Sequence, residues 1–474
     1  MMNFLKLLNN QAINNSQRIA YKIENDCITY GELWKKASEI SKKLSLQSSD
    51  PVIIYGHKSV NMIVSIISCI MAKRTYIPIE TGTPEIRIKK IIKLSSAKLL
   101  IKNAPIDIDD IECTTLDSIA NNHEHSDEQI VNQNKIAYII FTSGSTGEPK
   151  GVPISYDNLD NFISWISSIE EMKMLTKAKV LNQASFCFDL SVADIFFSFA
   201  NGHTLIGLSK QAQKNYTDIF NVIKREKINF IVMTPSFGKL LMLDHDFNSE
   251  NYKELQCMYF CGEPLEPMMA KKLKKRFPDS DIINAYGPTE ATSAVSAIAV
   301  TEDMLDKDYL PVGNINTSAC EIKIENGEII LKGKSVFGGY LGNVSGGYFT
   351  ENEVDCYKTG DCGYIKDDML FCRGRKDNQV KYMGYRIELG DIESNLLKID
   401  GVSQATVIAK YNGDSKTVKM IKAFIVVENN KDVSTIKSEL SKLVPEYMIP
   451  KIITILDEMP LNENGKIDRK SLES

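Results

Sequence analysis

The densest chemistry in the chain lies in residues 138–151, YIIFTSGSTGEPKG. Thr142, Ser143, Ser145 and Thr146 bring hydroxyl donors on short side chains, and Gly144 and Gly147 let the backbone turn its N–H groups inward. Lys150 adds a mobile positive charge. A polyphosphate calls for that set, with many donors and one or two cations. Gly-Lys-Ser/Thr in direct succession is missing, so this is not the Walker arrangement. GSTG alone reads as a flexible linker. Here, though, it lies between an apolar, β-prone run at 137–141 and a Pro-Lys-Gly stop.

Four further stretches carry reactive side chains. In NAYGPTEAT (284–292), Tyr286 offers an aromatic face, Thr289 a hydroxyl, and Glu290 a hard oxygen that could hold Mg2+ against phosphate. A plain turn with one exposed glutamate competes on even terms until the stretch is paired with the Ser/Thr/Gly loop. Within 357–393, Asp361 follows a glycine at the end of an extended run, where a carboxylate could accept both hydroxyls of a ribose. Arg375 could reach the same sugar or a phosphate, and Lys376-Asp377 falls where a domain boundary is expected. A charged β-hairpin and linker is the plainer account of this region. In SFCFDLSVADIFFSF (185–199), Asp189 is set among aromatic and aliphatic residues. A carboxylate there needs a cation, unless it only caps a helix. In PLNENGKIDRKSL (460–472), Lys466 sits in a polar glycine turn, where a lone lysine is usually just solvated.

These groups must be positioned by a large scaffold. At 474 residues the chain exceeds one compact core, so two or three domains are expected. With 43% apolar and 25% charged residues it reads as an ordinary globular protein. A net charge of −5 argues against a general nucleic-acid binder. Ten cysteines without CxxC or Cys/His clustering suggest neither a zinc site nor a disulfide framework, and point to the reducing cytoplasm. The longest apolar run, 62–72, is too short to span a bilayer and reads as a buried helix.

Short apolar runs such as PVIIYG, TYIPIE, INFIVMTPS and LQCMYFCGE alternate with helical patterns such as 28–44 and 267–277. That alternation predicts an α/β fold with a mainly parallel sheet. The basic helix at 267–277 reads as a solvated face. The polar stretch 121–134 reads as an exposed loop. After about residue 300 shorter strands predict a small antiparallel region, and from about 376 a compact α+β module with its own core.

Taken in order, the five stretches resemble the adenylate-forming superfamily of acyl-CoA synthetases, luciferases and amino-acid adenylation domains, over nearly the whole chain. FTSGSTGEPKGVPIS, FDLSVADIF, MTPSF, FCGEPL, NAYGPTEAT and YMIP look most like the stand-alone D-alanine–carrier protein ligases. The resemblance implies a large N-terminal domain (1–376) of α/β subdomains with a small β region, and a mobile α+β C-terminal domain (377–474). It implies that Thr142, Ser143, Gly144, Ser145, Thr146, Gly147 and Lys150 cradle the ATP β- and γ-phosphates. Tyr286 would stack on adenine within Asn284, Ala285, Tyr286 and Gly287, Thr289 would contact the α-phosphate, and Glu290 would hold Mg2+. Asp361 would bind the ribose, with Arg375 assisting. Asp189 would take the substrate ammonium and Lys466 would bridge the substrate carboxylate and α-phosphate. Adenylation needs no general base, since a carboxylate is already the nucleophile.

By the same resemblance the acyl group then passes to a phosphopantetheine thiol on a separate carrier protein. The C-terminal domain would rotate about Asp377, withdrawing Lys466 and bringing in YMGYRIELG, with Gly384 lining a thiol tunnel. The amino-acid pocket would be lined by Asp189, Leu190, Ala193, Val232, Tyr259, Cys261, Ala285, Ser293 and Ala294. Leu190 and Cys261 match the D-alanine ligases, whereas Ala193, Val232 and Tyr259 depart from them. The expectation is a cytoplasmic monomer, not membrane-embedded, that activates a small amino acid, D-alanine first. The alternatives are another amino acid for nonribosomal peptide synthesis, an acyl-CoA synthetase, and an inactive nucleotide-binding protein.

Overall fold

The computed structural model describes residues 2–121, 134–144, 147–344, 346–377, 379–411, 417–428, 431–460 and 467–473. The predicted alternation is present. One six-stranded sheet runs Glu112–Thr114, Leu99–Lys102, Val52–Tyr55, Tyr76–Ile79, Ile136–Thr142, Lys150–Ser155. Its pairs are parallel except the last. An eight-stranded sheet has the order Ser296–Ala299, Asp281–Tyr286, Cys257–Phe260, Phe230–Met233, Lys179–Asn182, Thr204–Gly207, Ile19–Ile23, Asp26–Thr29. It is parallel through its centre and antiparallel at both edges.

Central strands such as Phe230–Met233 and Cys257–Phe260 are buried at every position, because helices cover both sheet faces. Their side chains alternate between two apolar clusters. Val232, Cys257 and Tyr259 go to one, and Ile231, Met233, Met258 and Phe260 to the other. The apolar run at 62–72 is the buried helix Val60–Met71, capped by Ser59. Among the described residues no helix is long and apolar enough to cross a membrane.

The later region is antiparallel, as its short strands predict. Gly313–Asn314, Met369–Arg375, Val354–Lys366, Glu328–Lys332 and Glu321–Glu325 form one sheet, with Tyr348–Glu351 paired to Val354–Lys366. Beyond it come the hairpin Gln379–Tyr382/Tyr385–Glu388 and the sheet Val402–Tyr411, Val418–Val427, Ile452–Leu456. A separate apolar cluster, from Val380 to Ile453, fills this last part. The expected loop at 121–134 lies almost wholly outside the described residues.

Pro149-Lys150-Gly151 does not stop the phosphate-loop stretch in the way its composition suggests. Lys150–Ser155 is a strand paired antiparallel with Ile136–Thr142, Thr142 opposite Lys150. The glycine-rich segment is therefore the tip of a β-hairpin, and burial of Val152 and Ile154 holds its second arm in the core.

His203, beside the strand Thr204–Gly207, has a testable consequence for stability. Ala178 N–H donates to its Nδ1 at 3.1 Å, and burial, helped by Arg18, pushes the imidazole down to about 4. Between that value and the ordinary ~6.5 the unfolded chain binds the extra proton, so stability rises with pH through this window. Acidifying from pH 6.5 towards 4 is expected to cost up to a few kcal/mol through this residue. In urea unfolding, His203→Gln should show a shallower loss over that range than the wild type.

Candidate functional site

The described residues of the glycine-rich stretch meet the C-terminal hairpin and the helix after it. Ser143 is buried, its Oγ donates to Arg386 O at 3.0 Å, and Glu388 N–H donates to Ser143 Oγ at 3.0 Å. At Gly144 a Cβ would lie 2.2 Å from Glu148 O, so only glycine fits that turn. Gly147 has φ +78°, and a Cβ there would lie 3.0 Å from Ser394 Cβ on the helix Leu389–Leu396. Lys150 sits 5.7 Å from the centre of the Tyr340 ring. Thr142 ends its strand beside these groups, while Ser145 and Thr146 lie outside the described residues.

Glu290 follows the strand Asp281–Tyr286 on a 3-10 turn, Thr289–Ala291, and is fully buried. Tyr340 Oη donates to its Oε1 at 2.6 Å and Arg386 Nη1 to its Oε2 at 2.5 Å. Burial alone would raise the carboxyl's pKa, but the facing Arg386 guanidinium and the Tyr340 hydroxyl bring it below the usual range. Among the described residues no group of three His, Cys, Asp or Glu side chains could hold a metal. One carboxylate fits a Mg2+ ion that keeps several waters and arrives with substrate phosphates. In this arrangement both oxygens of the Glu290 carboxylate are engaged, one by Tyr340 and one by Arg386.

The ribose candidates form one chain of polar contacts. Tyr286 Oη donates to Asp361 Oδ2 at 2.7 Å, and Arg375 Nη1 donates to Asp361 Oδ1 at 2.9 Å. The other edge of Arg375 grips Asp377 through Nε to Oδ1 and Nη2 to Oδ2, both 2.7 Å. The expected sugar-binding carboxylate and the expected hinge aspartate thus share one guanidinium. Gly360 leaves room for it, since a Cβ there would lie 2.7 Å from Arg375 Nη2. Asn284 faces elsewhere and donates to Pro311 O at 2.8 Å. At Gly287 a Cβ would meet Ala294 Cα at 2.5 Å.

Asp189 stands at the start of the buried helix Leu190–Asn201, yet its side chain makes no capping hydrogen bond. The helix-cap account therefore fails. Burial raises its pKa, opposed by a hydrogen bond from Thr289 and by the charges of Lys381 and Arg386. Leu190, Ala193, Val232, Tyr259, Cys261, Ala285, Ser293 and Ala294 are all buried, and all but Ser293 belong to one large apolar cluster. Val232 pairs with Tyr259 across neighbouring strands, and Cys261 Sγ lies 3.8 Å from Ser293 O. Tyr259 is fully buried and its hydroxyl has no partner among the described residues.

Gly384 closes the C-terminal hairpin. It and Met383 have φ of +84° and +52°, the two left-handed positions of a two-residue hairpin turn. A Cβ on Gly384 would lie 2.9 Å from Thr234 Cγ2, so the turn presses against the end of the strand Phe230–Met233. Tyr385 packs edge-on to Phe188, next to Asp189, with ring centres 4.6 Å apart. Lys466 lies outside the described residues. Nearby Arg469 is held in the C-terminal region, by Val407 O and Glu393, each at 2.8 Å.

Sequence reasoning passed over Arg386, Tyr340, Lys381 and Glu263. The sequence does carry one signal for Arg386. It is a cation set between Tyr385 and Ile387 in a glycine-turned hairpin sequence, YMGYRIELG, and it needs an anion if that hairpin packs into the protein.

Comparison with known proteins matches residues 8–341 to the family model described as AMP-binding enzyme, and residues 391–466 to the AMP-binding enzyme C-terminal domain. The D-alanine–D-alanyl carrier protein ligase of Bacillus licheniformis is 36% identical, over 100% of this chain and 99% of that protein. The ligase of the same name from Listeria monocytogenes is 37% identical, over 96% and 95%. Among solved structures, the Vibrio cholerae adenylation domain AlmE, in complex with glycyl-adenosine-5'-phosphate, superposes with a TM-score of 0.85. Its identity is 21%, over 100% of this chain and 97% of that one. The o-succinylbenzoate coenzyme A synthetase of Bacillus subtilis gives 0.83 at 20% identity, over 98% of each.

Proposed function

The chain belongs to the AMP-binding enzyme family, and on that premise we propose that it joins a small amino acid, D-alanine, to a separate carrier protein at the expense of ATP. In the first step an oxygen of the amino-acid carboxylate bonds to the α-phosphorus of ATP as the bond to the β-phosphate oxygen breaks, releasing pyrophosphate. In the second the phosphopantetheine sulfur bonds to the acyl carbon, its proton is lost, and AMP departs with the electrons of the broken C–O bond.

The observation that carries this reading is Asp189, a partly buried carboxylate that starts a helix without capping it. An α-ammonium group satisfies such a carboxylate, whereas a fatty or aromatic acid leaves it unpaired. Around it, Ser143, Gly144, Gly147 and Lys150 would take phosphate oxygens. Tyr286, Asp361 and Arg375 would take the nucleoside. Glu290 would hold Mg2+, whose charge offsets that of the departing pyrophosphate. The same arrangement supports a boundary at Asp377 between a nucleotide-binding body and a C-terminal domain that moves between the two steps. A cytoplasmic monomer suits a reaction that draws on ATP.

Pyrophosphate exchange across both enantiomers of the common amino acids, followed by carrier loading, tests the reading. D-alanine giving no more signal than the rest would end its most specific form. A second substrate is favoured by one observation: Tyr259 carries a buried hydroxyl that has no partner among the described residues. A polar amino acid able to bond that hydroxyl is then expected to lead the exchange assay. Activity with free coenzyme A and no carrier would favour an acyl-CoA synthetase.

Lys466→Ala is expected to abolish adenylate formation while sparing transfer from a supplied aminoacyl adenylate. Equal loss of both steps would contradict a moving C-terminal domain.

A further inference from the structure

Glu263 is a buried carboxylate on the loop after the strand Cys257–Phe260. It bridges two parts of the chain that the proposed mechanism moves apart. Its Oε2 accepts the Ser236 N–H at 2.8 Å, in the first turn of the helix Pro235–Leu241. Its Oε1 accepts the Gly384 N–H at 2.7 Å, at the tip of the C-terminal hairpin. Both partners are main-chain donors. The residue holds a backbone position, and no side-chain choice at position 384 can replace the contact. The same tip leans on Thr234, and Thr234 Oγ1 accepts the Phe237 N–H at 3.3 Å, so the turn and the helix start are braced together.

We infer that Glu263 is a positioning residue for the thiol-transfer half of the reaction, fixing the Gly384 turn as one wall of the route by which the thiol reaches the acyl carbon. It bonds to neither nucleotide nor amino acid and forms no covalent bond itself. On the proposed two-step function the hairpin leaves this position for adenylate formation, and Glu263 would then keep only its bond to Ser236. The carboxylate therefore stabilises one domain arrangement over the other by a charge-assisted hydrogen bond made only there. The inference rests on the proposed two-step function, and it adds a residue that distinguishes the steps.

Glu263→Gln places an amide donor against one of the two N–H groups, and Glu263→Ala removes the acceptor without adding a donor. For both, pyrophosphate exchange is expected to stay within about twofold of wild type. Single-turnover transfer from enzyme-bound aminoacyl adenylate to the carrier should slow at least tenfold, with the carrier's KM little changed. Hydrogen exchange read by mass spectrometry on the adenylate-bound enzyme should show lost protection in the 379–388 peptide, with the 418–427 peptide unchanged. Exchange and transfer falling together, with a lowered Tm, would assign Glu263 to the fold and overturn the inference. Unchanged transfer in both variants would overturn it as well. The wild-type control keeps the two proposals apart. If the wild type loads no carrier, the parent reading fails; if it loads normally and the variants do too, only the role of Glu263 fails.

Discussion

Asp189→Ala is expected to weaken amino-acid binding by about 3–5 kcal/mol, the usual cost of leaving one partner of a buried ion pair alone. That corresponds to roughly two to three and a half orders of magnitude in KM for the amino acid in pyrophosphate exchange. The size of the effect follows from the site. Asp189 makes no capping bond, so its removal leaves the helix Leu190–Asn201 intact and the loss falls on the ligand. Asp189→Asn should lose nearly as much, since the amide keeps the shape but not the charge. Burial raises the pKa of Asp189, so affinity should also fall on acidification earlier than for an ordinary aspartate. A loss below about 1 kcal/mol in both variants, against the 3–5 expected for a buried pair, would mean that the ammonium binds elsewhere.

Arg386→Ala is expected to act on the other half of the cycle. Its guanidinium is the cation facing the fully buried Glu290, and removing it strands that carboxylate at a cost of about 3–5 kcal/mol in this domain arrangement. Carrier loading should drop a hundredfold or more. Pyrophosphate exchange should change far less, because in that step Glu290 is proposed to face Mg2+. Arg386→Lys should not restore loading, since an ammonium lacks the planar guanidinium that reaches Glu290 through one edge. Comparing exchange with single-turnover loading checks the result. If exchange falls as far as loading, the pair serves the fold alone.

Much of the scaffold was legible because its signals are local. Runs such as FIVM and CMYF are apolar at every position, as a strand covered on both faces requires, and both are central parallel strands. The helix expected over 28–44 is Tyr30–Gln47, and it begins with the Thr29/Glu32 capping box, a short-range pattern. The glycine-rich stretch was legible as a cluster of donors but not as the connection between two paired strands. Pro149-Lys150-Gly151 hides the strand Lys150–Ser155, whose pairing is set by a partner across the turn. Arg386 with Glu290, and Gly384 with Glu263, were out of reach for a different reason. Each joins residues about a hundred positions apart, and the bond exists only once the C-terminal hairpin has docked. Sequence patterns identify groups that need partners; which partner they find is decided by packing.

The shared guanidinium of Arg375 ties two equilibria together. It bonds Asp361 with one nitrogen and Asp377 with two others. On the proposed function, a nucleotide that draws Arg375 towards its sugar or phosphate would compete with the grip on Asp377, and a rotation that strains Asp377 would weaken the hold on the nucleotide. Linkage makes the two effects equal in free energy. AMP retention and the proposed domain rotation would then be a single thermodynamic coupling, its strength set by how one arginine divides its five donors.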